Sequence, residues 1–254
     1  MMADAAEVHT GQGRLTAVPR LSIVIPAYNE AARIGATLID IHAYLVRQSH
    51  ASEIIVVDDG SADATAEIVR AGFPAVQVIS YRENRGKGYA VRTGMLAAKG
   101  DIRLFFDADG STPIDELDKA IPFIDGGADI VIGSRMVQGA NVLVHQRWVR
   151  EHVGRLFNVL LLALGLTRMR DTQCGFKAFT ARSTEICFTR QTLDRFSFDV
   201  ELLCIAQRHG LRIVEMPVRW INSPDTRVRM VRDAFPTMRD LLTIRHNLRK
   251  GAYD

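Results

Sequence analysis

The stretch LFFDADGSTP, residues 104–113, places two aspartates one residue apart directly after an apolar run. Side chains two residues apart on a strand point to the same side, so Asp107 and Asp109 can face one small volume. Their carboxylates repel each other unless a cation lies between them. Carboxylate oxygens suit Mg²⁺ or Mn²⁺, and Mg²⁺ is usually bound by one or two carboxylates together with substrate phosphates. An ordinary turn is the alternative, because Asp and Gly are also common turn formers.

The elements that must position this pair form an alternating pattern between residues 21 and 133. Short apolar runs, typical of strands covered on both faces, occur at LSIVI, EIIVV, VQVIS, IRLFF and DIVIG. Helical patterns lie between them at residues 30–47, 62–71, 88–98 and 114–124, with Ser61 as the predicted N-cap of the second and Thr112 of the fourth. The pattern predicts an α/β fold with a doubly wound, mainly parallel sheet and helices on both faces.

Each predicted strand ends in a polar, charged or Gly-rich loop: PAYNE, DDGSAD, RENRGKG, DADGST and SRMVQG. In doubly wound sheets ligands bind outside the carboxyl ends of the strands, so these loops predict one site. Asp58 and Asp59 offer acceptors for a base or for ribose hydroxyls, with turn formation before the next helix as the alternative. Lys87 and Arg135 offer cationic support to a diphosphate, with solvated surface charge as the alternative.

Two familiar nucleotide sites are excluded by spacing. The segment NRGKGYAVRTG lacks the GxxxxGK[ST] of a P-loop. A dinucleotide fingerprint needs GxGxxG after the first strand, whereas Gly86 and Gly88 follow the third and Gly94 lies too far along. The remaining possibility is a nucleotide site built from side chains and a metal ion.

Composition and charge describe an ordinary globular chain with a basic end. The 254 residues are 47% hydrophobic and 24% charged, with a net charge of +3 and a cation-rich segment from Arg219 onward. This segment favours an anionic partner or a solvated helical face. Three cysteines without CxxC spacing predict reduced thiols in a cytosolic protein. The apolar run at residues 156–166 is shorter than the ~20 residues that span a bilayer.

The pattern changes after residue 133. Helices are predicted at residues 148–164 and 198–209, a strand at 212–220, and basic amphipathic helices beyond it that Pro236 should break or kink. The expected organisation is a flexible lead-in at residues 1–19, a catalytic domain at 20–220 and basic C-terminal helices at 221–254.

Taken together, LSIVIPAYNE, IIVVDDGSAD, NRGKGYAVRTG, DADGS, GSR, DTQCGFKAF and FSFDVELL resemble the family-two glycosyltransferases of GT-A fold. Within that family the chain most resembles the dolichyl-phosphate β-glucosyltransferase branch and the related polyprenyl-phosphate mannose synthases. The resemblance runs from about Leu21 to Trp220, nearly the whole predicted folded region, and seven motifs occur in the same order.

The resemblance implies roles for residues that match the motifs. The pocket for base and ribose would be lined by Pro26, Ala27, Tyr28, Glu30 and Asp59, with Gly86 and Lys87 along its edge. The DxD motif, Asp107-Ala108-Asp109, would hold the metal and the diphosphate, and Arg135 would contact a phosphate of donor or acceptor. The sugar pocket would be shaped by Gln173, Asp199 and Glu201, for which a structural hydrogen-bond network is the alternative.

The branch implies a lipid monophosphate as acceptor. A phosphate monoester is already anionic near neutral pH, because its second pKa is about 6, and it needs no dedicated general base. Cations that orient the phosphate are needed instead, and Arg227 and Arg229 are the candidates. The chain departs from the branch here, with Pro224-Asp225-Thr226-Arg227 where a Gly-Ser-Lys-like element often follows the strand.

We therefore predict a metal-dependent inverting glycosyltransferase that moves a hexose, glucose from UDP-glucose, onto a polyprenyl or dolichyl phosphate. The basic end and the apolar helix at residues 156–166 would place it peripherally on the cytoplasmic face of a membrane, with core packing or an oligomer contact as the alternative for that helix. GDP-mannose as donor, a saccharide as acceptor, and a non-catalytic sugar-nucleotide binder remain open. Nucleic-acid binding is disfavoured, because the basic end lacks interleaved aromatics. The sequence predicts no oligomeric state.

Overall fold

The computed structural model of the chain describes residues 7–9, 18–142, 157–221 and 230–254. Its strands are β1 (Glu7–His9), β2 (Leu21–Ala27), β3 (Ser52–Asp58), β4 (Gln77–Ser80), β5 (Ile102–Phe106), β6 (Ile130–Ser134), β7 (Asn141–Val142), β8 (Phe176–Thr180), β9 (Ile213–Pro217) and β10 (Arg219–Trp220). Its helices are α1 (Ile34–Leu45), α2 (Thr65–Gly72), α3 (Lys87–Ala97), α4 (Leu117–Asp125), α5 (residues 157–163), α6 (Ala181–Arg190), α7 (Phe198–Arg208) and α8 (Met230–Lys250). A 3₁₀ turn, Ile114–Glu116, leads into α4.

Eight strands form one mainly parallel sheet in the order β1-β4-β3-β2-β5-β8-β6-β9. The pairs β4–β3, β3–β2, β2–β5 and β6–β9 are parallel, whereas β1 and β8 run antiparallel to their neighbours. From β2 the chain moves outward through β3 and β4 and then returns to the other side of β2 as β5. The carboxyl ends of β2 and β5 therefore flank the point where strand order reverses, which is where ligands bind in such sheets.

Helices cover both faces of the sheet, as predicted. Alternate residues of β2 point to opposite sides, so that Ile23 and Ile25 join one core layer and Val24 joins the other. The first layer receives buried side chains from α1, α2 and α4, and the second receives them from α3, α5, α6, α7 and α8. The doubly wound fold predicted from the sequence is confirmed.

Strand β8 is absent from the sequence prediction, which treated FKAFT only as part of a motif. It lies between β5 and β6 and pairs antiparallel with both. Its reversed direction puts its amino end, rather than its carboxyl end, at the ligand-binding edge. The preceding segment, residues 171–175, is thereby brought against the acidic pair, and Asp107 N donates to the Gly175 carbonyl at 3.0 Å.

Two predicted helix caps are wrong, because the hydroxyls concerned serve contacts between loops. Helix α2 begins at Thr65 after Ala64, and Ser61 Oγ instead accepts from Asn29 N at 2.8 Å. Pro113 precedes the 3₁₀ turn without a side-chain cap, and Thr112 Oγ1 lies 3.9 Å from Cys174 Sγ. Of the break or kink predicted at Pro236, the break is wrong, since α8 continues through this residue.

The described part of the predicted apolar run, residues 157–166, is divided between core and surface. Leu161 and Leu166 are buried in the second core layer, whereas Val159 and Leu162 are 61% and 59% exposed. In the part of the chain that the structure describes, no helix combines the length and apolarity that crossing a membrane requires.

The three cysteines are buried free thiols, as the spacing predicted. Burial raises the pKa of Cys174 to about 11 and those of Cys187 and Cys204 to about 12. Each therefore stays protonated at neutral pH and packs as a small apolar side chain.

Gly94 on α3 allows that helix to approach the sheet. A Cβ at this position would lie 2.8 Å from Val57 Cγ2 and closer still to Val24.

We expect Gly94→Val to lower the free energy of unfolding by at least about 2 kcal/mol, because neither buried strand can shift to make room. Denaturant unfolding measures this. The control is Gly72→Val, where an added Cβ would meet no atom within 4 Å beyond its chain neighbours and its own helix backbone, and a change of about 0.5 kcal/mol or less is expected. Equal losses in both variants would contradict the packing argument.

Candidate active site

The acidic pair lies on a turn that is fixed by the surrounding protein. Gly110, with φ +61°, lets the chain reverse after Asp109, and Gly110 N donates to the Asp107 carbonyl at 3.3 Å. Asp109 Oδ1 accepts from Ser111 N at 2.9 Å, and the Ala108 carbonyl accepts from Thr37 Oγ1 at 2.7 Å. The turn alternative and the site prediction are thus compatible, since the bonds that make the turn also hold the Asp109 carboxylate and the backbone that carries Asp107.

Gly175 is required beside this turn because of close approach. A Cβ built on Gly175 would overlap the Asp107 carboxylate. The same carboxylate borders a small cleft lined by Phe106, Ser111, Thr112, Gly175 and Trp220. The amino end of β8 therefore forms one wall of the site.

Lys87 supplies the nearest positive charge. Its Nζ lies 2.7 Å from Asp107 Oδ1 and 5.1 Å from the centroid of the Phe105 ring. Burial by itself would lower the pKa of Lys87, but the negative charges of Asp107 and Asp199 outweigh burial and raise that pKa above its ordinary value. The side chain is therefore an ammonium ion held against the acidic pair, as the diphosphate-binding prediction requires.

A second lysine, Lys177 on β8, lies behind Lys87 and is fully buried. Its Nζ lies 2.5 Å from both Asp199 Oδ1 and the Cys174 carbonyl, and 5.5 Å from the Phe105 ring centroid. Asp199 was predicted to shape the sugar pocket, with a structural hydrogen-bond network as the alternative. Its buried ion pair with Lys177 agrees with that alternative. Sequence reasoning missed Lys177, because a lysine within an apolar strand is recognisable as buried only when its partner is known.

Arg135 is held in one orientation by Asp171. Arg135 Nε and Nη2 donate to the two oxygens of the Asp171 carboxylate at 2.7 and 2.8 Å, and Arg135 N donates to Oδ2 at 2.9 Å. The guanidinium carbon lies 5.4 Å from the Trp220 ring centroid. Asp171 was not predicted, although it begins the DTQCG segment from which Gln173 was chosen.

Asp59 and Asp58 lie at the end of β3 and hold loops. The Asp59 carboxylate is buried and accepts from Arg85 N at 2.8 Å, Gly86 N at 2.9 Å and Asn84 Nδ2 at 2.8 Å. Asp58 Oδ1 accepts from Ser61 N at 3.2 Å. Asp59 therefore fixes the backbone that carries Lys87. Asp58 closes a turn, which is the alternative role predicted for it.

The loop after β2 is bonded to the loop after β3. Pro26 and Ala27 end β2, and Tyr28 beyond them is 38% exposed. Asn29, with φ +51°, accepts from Ala62 N at 2.7 Å through Oδ1, and Glu30 pairs with Arg33 at 2.6 Å. The structure thus brings the predicted base and ribose residues to the same edge as the acidic pair. Asn29, which joins the two loops, was missed.

The predicted sugar-pocket residues Gln173 and Glu201 lie in opposite environments, one exposed and the other buried. The Gln173 side chain is exposed. Glu201 is fully buried, and its carboxylate accepts from Thr192 Oγ1 at 2.5 Å, Leu193 N at 2.9 Å and the Tyr253 hydroxyl at 2.7 Å. Glu201 is thereby bonded to the 192–193 segment and to the C-terminus. The predicted acceptor residues Arg227 and Arg229 lie outside the described residues.

The donor set at the acidic pair fits a divalent ion that is shared with a substrate. Among residues 18–142, 157–221 and 235–254, no cluster of three or more His, Cys, Asp or Glu side chains could enclose a metal by itself. Asp107 and Asp109 each use one carboxylate oxygen in the contacts described above, with Lys87 and Ser111 N. Two carboxylates with phosphate oxygens completing the shell is the arrangement typical of Mg²⁺.

The Arg135–Asp171 pair predicts a pH-dependent contribution to stability. Burial alone would raise the pKa of Asp171, but the charge and hydrogen bonds of Arg135 outweigh burial and hold it below its ordinary value. The stabilisation is therefore complete above about pH 4, the ordinary range of Asp, and is lost as pH falls through the lower folded-state pKa.

We expect Asp171→Asn to lower the free energy of unfolding at pH 7 by about 2–4 kcal/mol, because it leaves the Arg135 charge without its partner. Denaturant unfolding at pH 7 and near pH 3 measures this, and the difference from the wild type should narrow at the lower pH. A difference that is unchanged or larger near pH 3 would contradict the assignment.

Comparison with known proteins places the chain in a family. The family model described as glycosyl transferase family 2 matches residues 22–186. A dolichyl-phosphate beta-glucosyltransferase of Trichomonas vaginalis is 38% identical over 224 residues, 82% of this chain and 66% of that protein. The protein of the same name from Drosophila melanogaster is 38% identical, covering 79% of this chain and 66% of the relative. That from Saccharomyces cerevisiae is 32% identical, covering 92% and 76%. The chain thus spans just under two thirds of the first two relatives.

Solved structures agree on the fold. Glucosyl-3-phosphoglycerate synthase from Mycobacterium tuberculosis with UDP has a TM-score of 0.66 at 23% identity, covering 90% of this chain and 80% of that one. The same enzyme with Mn²⁺, UDP and glucosyl-3-phosphoglycerate has a TM-score of 0.65 at 22% identity, covering 89% and 78%. These similarities confirm the GT-A fold. With the family model and the curated relatives, they show that the chain belongs to glycosyl transferase family 2.

Proposed function

We propose that the protein transfers glucose from UDP-glucose to a polyprenyl or dolichyl phosphate, with Mg²⁺ or Mn²⁺ as cofactor. The observation that carries the proposal is the acidic pair, Asp107 and Asp109, held at the reversal point of the sheet beside Lys87. The names of the curated relatives support glucose and the lipid acceptor, and the structural neighbours with Mn²⁺ and UDP support the metal and the donor.

Asp107 and Asp109 would hold the divalent ion. When bound, the ion would neutralise the charge that develops on the departing nucleoside diphosphate. Lys87 would add a second positive charge on the same diphosphate, since its ammonium group already lies at the acidic pair. The pocket for base and ribose would be formed by the bonded loops after β2 and β3, with Tyr28, Glu30 and Asp58 along it and Asp59 holding the backbone of its edge at Gly86.

Arg135 is proposed to orient a phosphate of the acceptor or donor. Asp171 and the Trp220 ring fix the guanidinium before any ligand arrives, so no reorganisation is needed when it binds. An acceptor phosphate is already anionic near neutral pH and attacks the anomeric carbon without a general base. Attack from the side opposite the departing diphosphate gives inversion in one displacement. Gln173 would contact the sugar, while Arg227 and Arg229 would guide the acceptor.

The lipid acceptor implies a membrane surface. A polyprenyl tail stays in the bilayer, so the enzyme would act at the membrane surface, on the cytoplasmic face in this proposal. The exposed side chains of α8 suit this approach, since apolar Phe235 and Leu242 share the helix with cationic Arg239, Arg249 and Lys250. Each cation near an anionic leaflet contributes about 1 kcal/mol, and several together give reversible peripheral binding.

A panel of radiolabelled donors tests the substrate assignment. The purified protein is incubated with UDP-glucose or GDP-mannose and either a polyprenyl phosphate or a soluble saccharide. The proposal expects label in the organic phase only with UDP-glucose and the lipid phosphate. Label from GDP-mannose would favour the mannosyl alternative, and label in the saccharide would favour the other acceptor. Metal-dependent UDP binding without transfer to any acceptor would favour a non-catalytic binder.

We expect Asp109→Asn to lower the transfer rate by at least about 100-fold, because the variant loses a metal-binding charge while its side-chain oxygen can still accept from Ser111 N. Initial rates at saturating donor and Mn²⁺ measure this. Asp40→Asn, which removes an equal charge from an exposed position on α1, should match the wild type. Transfer by the Asp109 variant at nearly the wild-type rate would refute the metal assignment.

A further inference from the structure

Lys87 makes direct contact with the acidic pair. Its ammonium group lies 2.7 Å from Asp107 Oδ1, at one of the two carboxylates assigned above to the divalent ion. Two cations cannot share this carboxylate without strong repulsion, because even in water two unit charges 4 Å apart interact by about 1 kcal/mol, and by several times more near a protein surface. The contact that neutralises Asp107 therefore also competes with the proposed metal.

We infer that Lys87 is a built-in counter-ion that keeps the metal out of the acidic pair until the nucleotide diphosphate binds. The inference rests on the proposed function and adds an order of events to it. Asp107 is the carboxylate with which Lys87 forms its ion pair, while Asp199, whose charge also acts on Lys87, is already paired with Lys177. A diphosphate supplies another anion, so Lys87 can transfer from the Asp107 carboxylate to a phosphate oxygen as the site fills.

The backbone around Lys87 is held, so only the side chain can make this exchange. Gly86 has φ +107°, its N–H donates to Asp59 Oδ2 at 2.9 Å, and a Cβ there would overlap the Asp194 carbonyl. On the other side, Tyr89 N donates to the Asp194 carbonyl at 3.1 Å. The start of α3 is thereby fixed between Asp59, which follows β3, and the segment before α7.

The second lysine, Lys177, allows Lys87 to move without leaving the Asp199 carboxylate unpaired. Lys177 is bonded to Asp199 whether or not Lys87 moves, because the Lys177 backbone belongs to β8 and its ammonium group is fully buried. Asp199 therefore keeps its partner while Lys87 turns to a phosphate. The Phe105 ring lies near both ammonium groups, at 5.1 and 5.5 Å, and provides a common surface for them.

Mn²⁺ binding to the purified full chain, followed by electron paramagnetic resonance with and without UDP, tests the inference without requiring turnover. Wild-type protein should bind Mn²⁺ alone weakly and bind it much more tightly with UDP. Lys87→Met should bind Mn²⁺ alone about tenfold more tightly than the wild type, which corresponds to about 1.4 kcal/mol. The tightening that UDP produces should be correspondingly smaller in this variant.

Three variants isolate the effect. Lys99→Met removes an equal charge from an exposed position beyond the far end of α3 and should leave Mn²⁺ binding unchanged. Lys87→Arg keeps the positive charge and should keep weak binding. Adding Asp107→Asn to Lys87→Met should abolish the gain, and thermal melting confirms that each variant is folded.

Two results would overturn the inference, and they are distinguishable. If UDP draws Mn²⁺ into the wild type but Lys87→Met binds Mn²⁺ alone no more tightly, Lys87 is not a counter-ion that excludes the metal, while the proposed function stands. If UDP draws no Mn²⁺ into the wild type, the metal site of the proposed function is wrong and the inference falls with it.

Discussion

The repulsion between the carboxylates of Asp107 and Asp109 is the constraint on which the rest of the site depends. The turn from Asp107 to Gly110 brings them to one edge of the sheet, where Thr37 bonds the backbone carbonyl of Ala108 and Ser111 N bonds the Asp109 carboxylate. The surrounding protein then supplies positive charge. Lys87 forms an ion pair with Asp107, while Lys177 and Arg135 lie nearby, each paired with an aspartate of its own. In the proposed function, this alternation of charge would let an anionic diphosphate and a divalent ion enter the site while each fixed charge keeps a partner.

The antiparallel strand β8 explains why these charges converge. Its insertion between β5 and β6 reverses one strand at the ligand edge, so its amino end meets the carboxyl ends of its neighbours. Gly175 then touches Asp107, Asp171 reaches Arg135, and Lys177 reaches Asp199. A single short segment thus supplies one wall, one orienting carboxylate and one buried cation.

The sequence was sufficient for the parallel strands and the acidic pair, because apolar runs and strand-end loops are local signals. It failed for β8, where Lys177 interrupts an apolar run and its partner Asp199 lies 22 residues away. It also failed for Asp171, because this residue acts by holding the guanidinium of Arg135, which lies 36 residues away in the sequence. The cap predicted at Ser61 was wrong for the same reason, since its hydroxyl accepts from Asn29 in another loop. The chemistry carried by neighbouring residues could be predicted from the sequence, whereas pairing between residues far apart in the sequence could not.

The most direct test of the central claim is the anomalous difference density of a crystal soaked with MnCl₂ and UDP. Our account predicts a manganese peak in contact with Asp107, Asp109 and the two phosphates of UDP. Well-ordered UDP at the edge of the sheet, with no manganese at that pair of carboxylates, would contradict it.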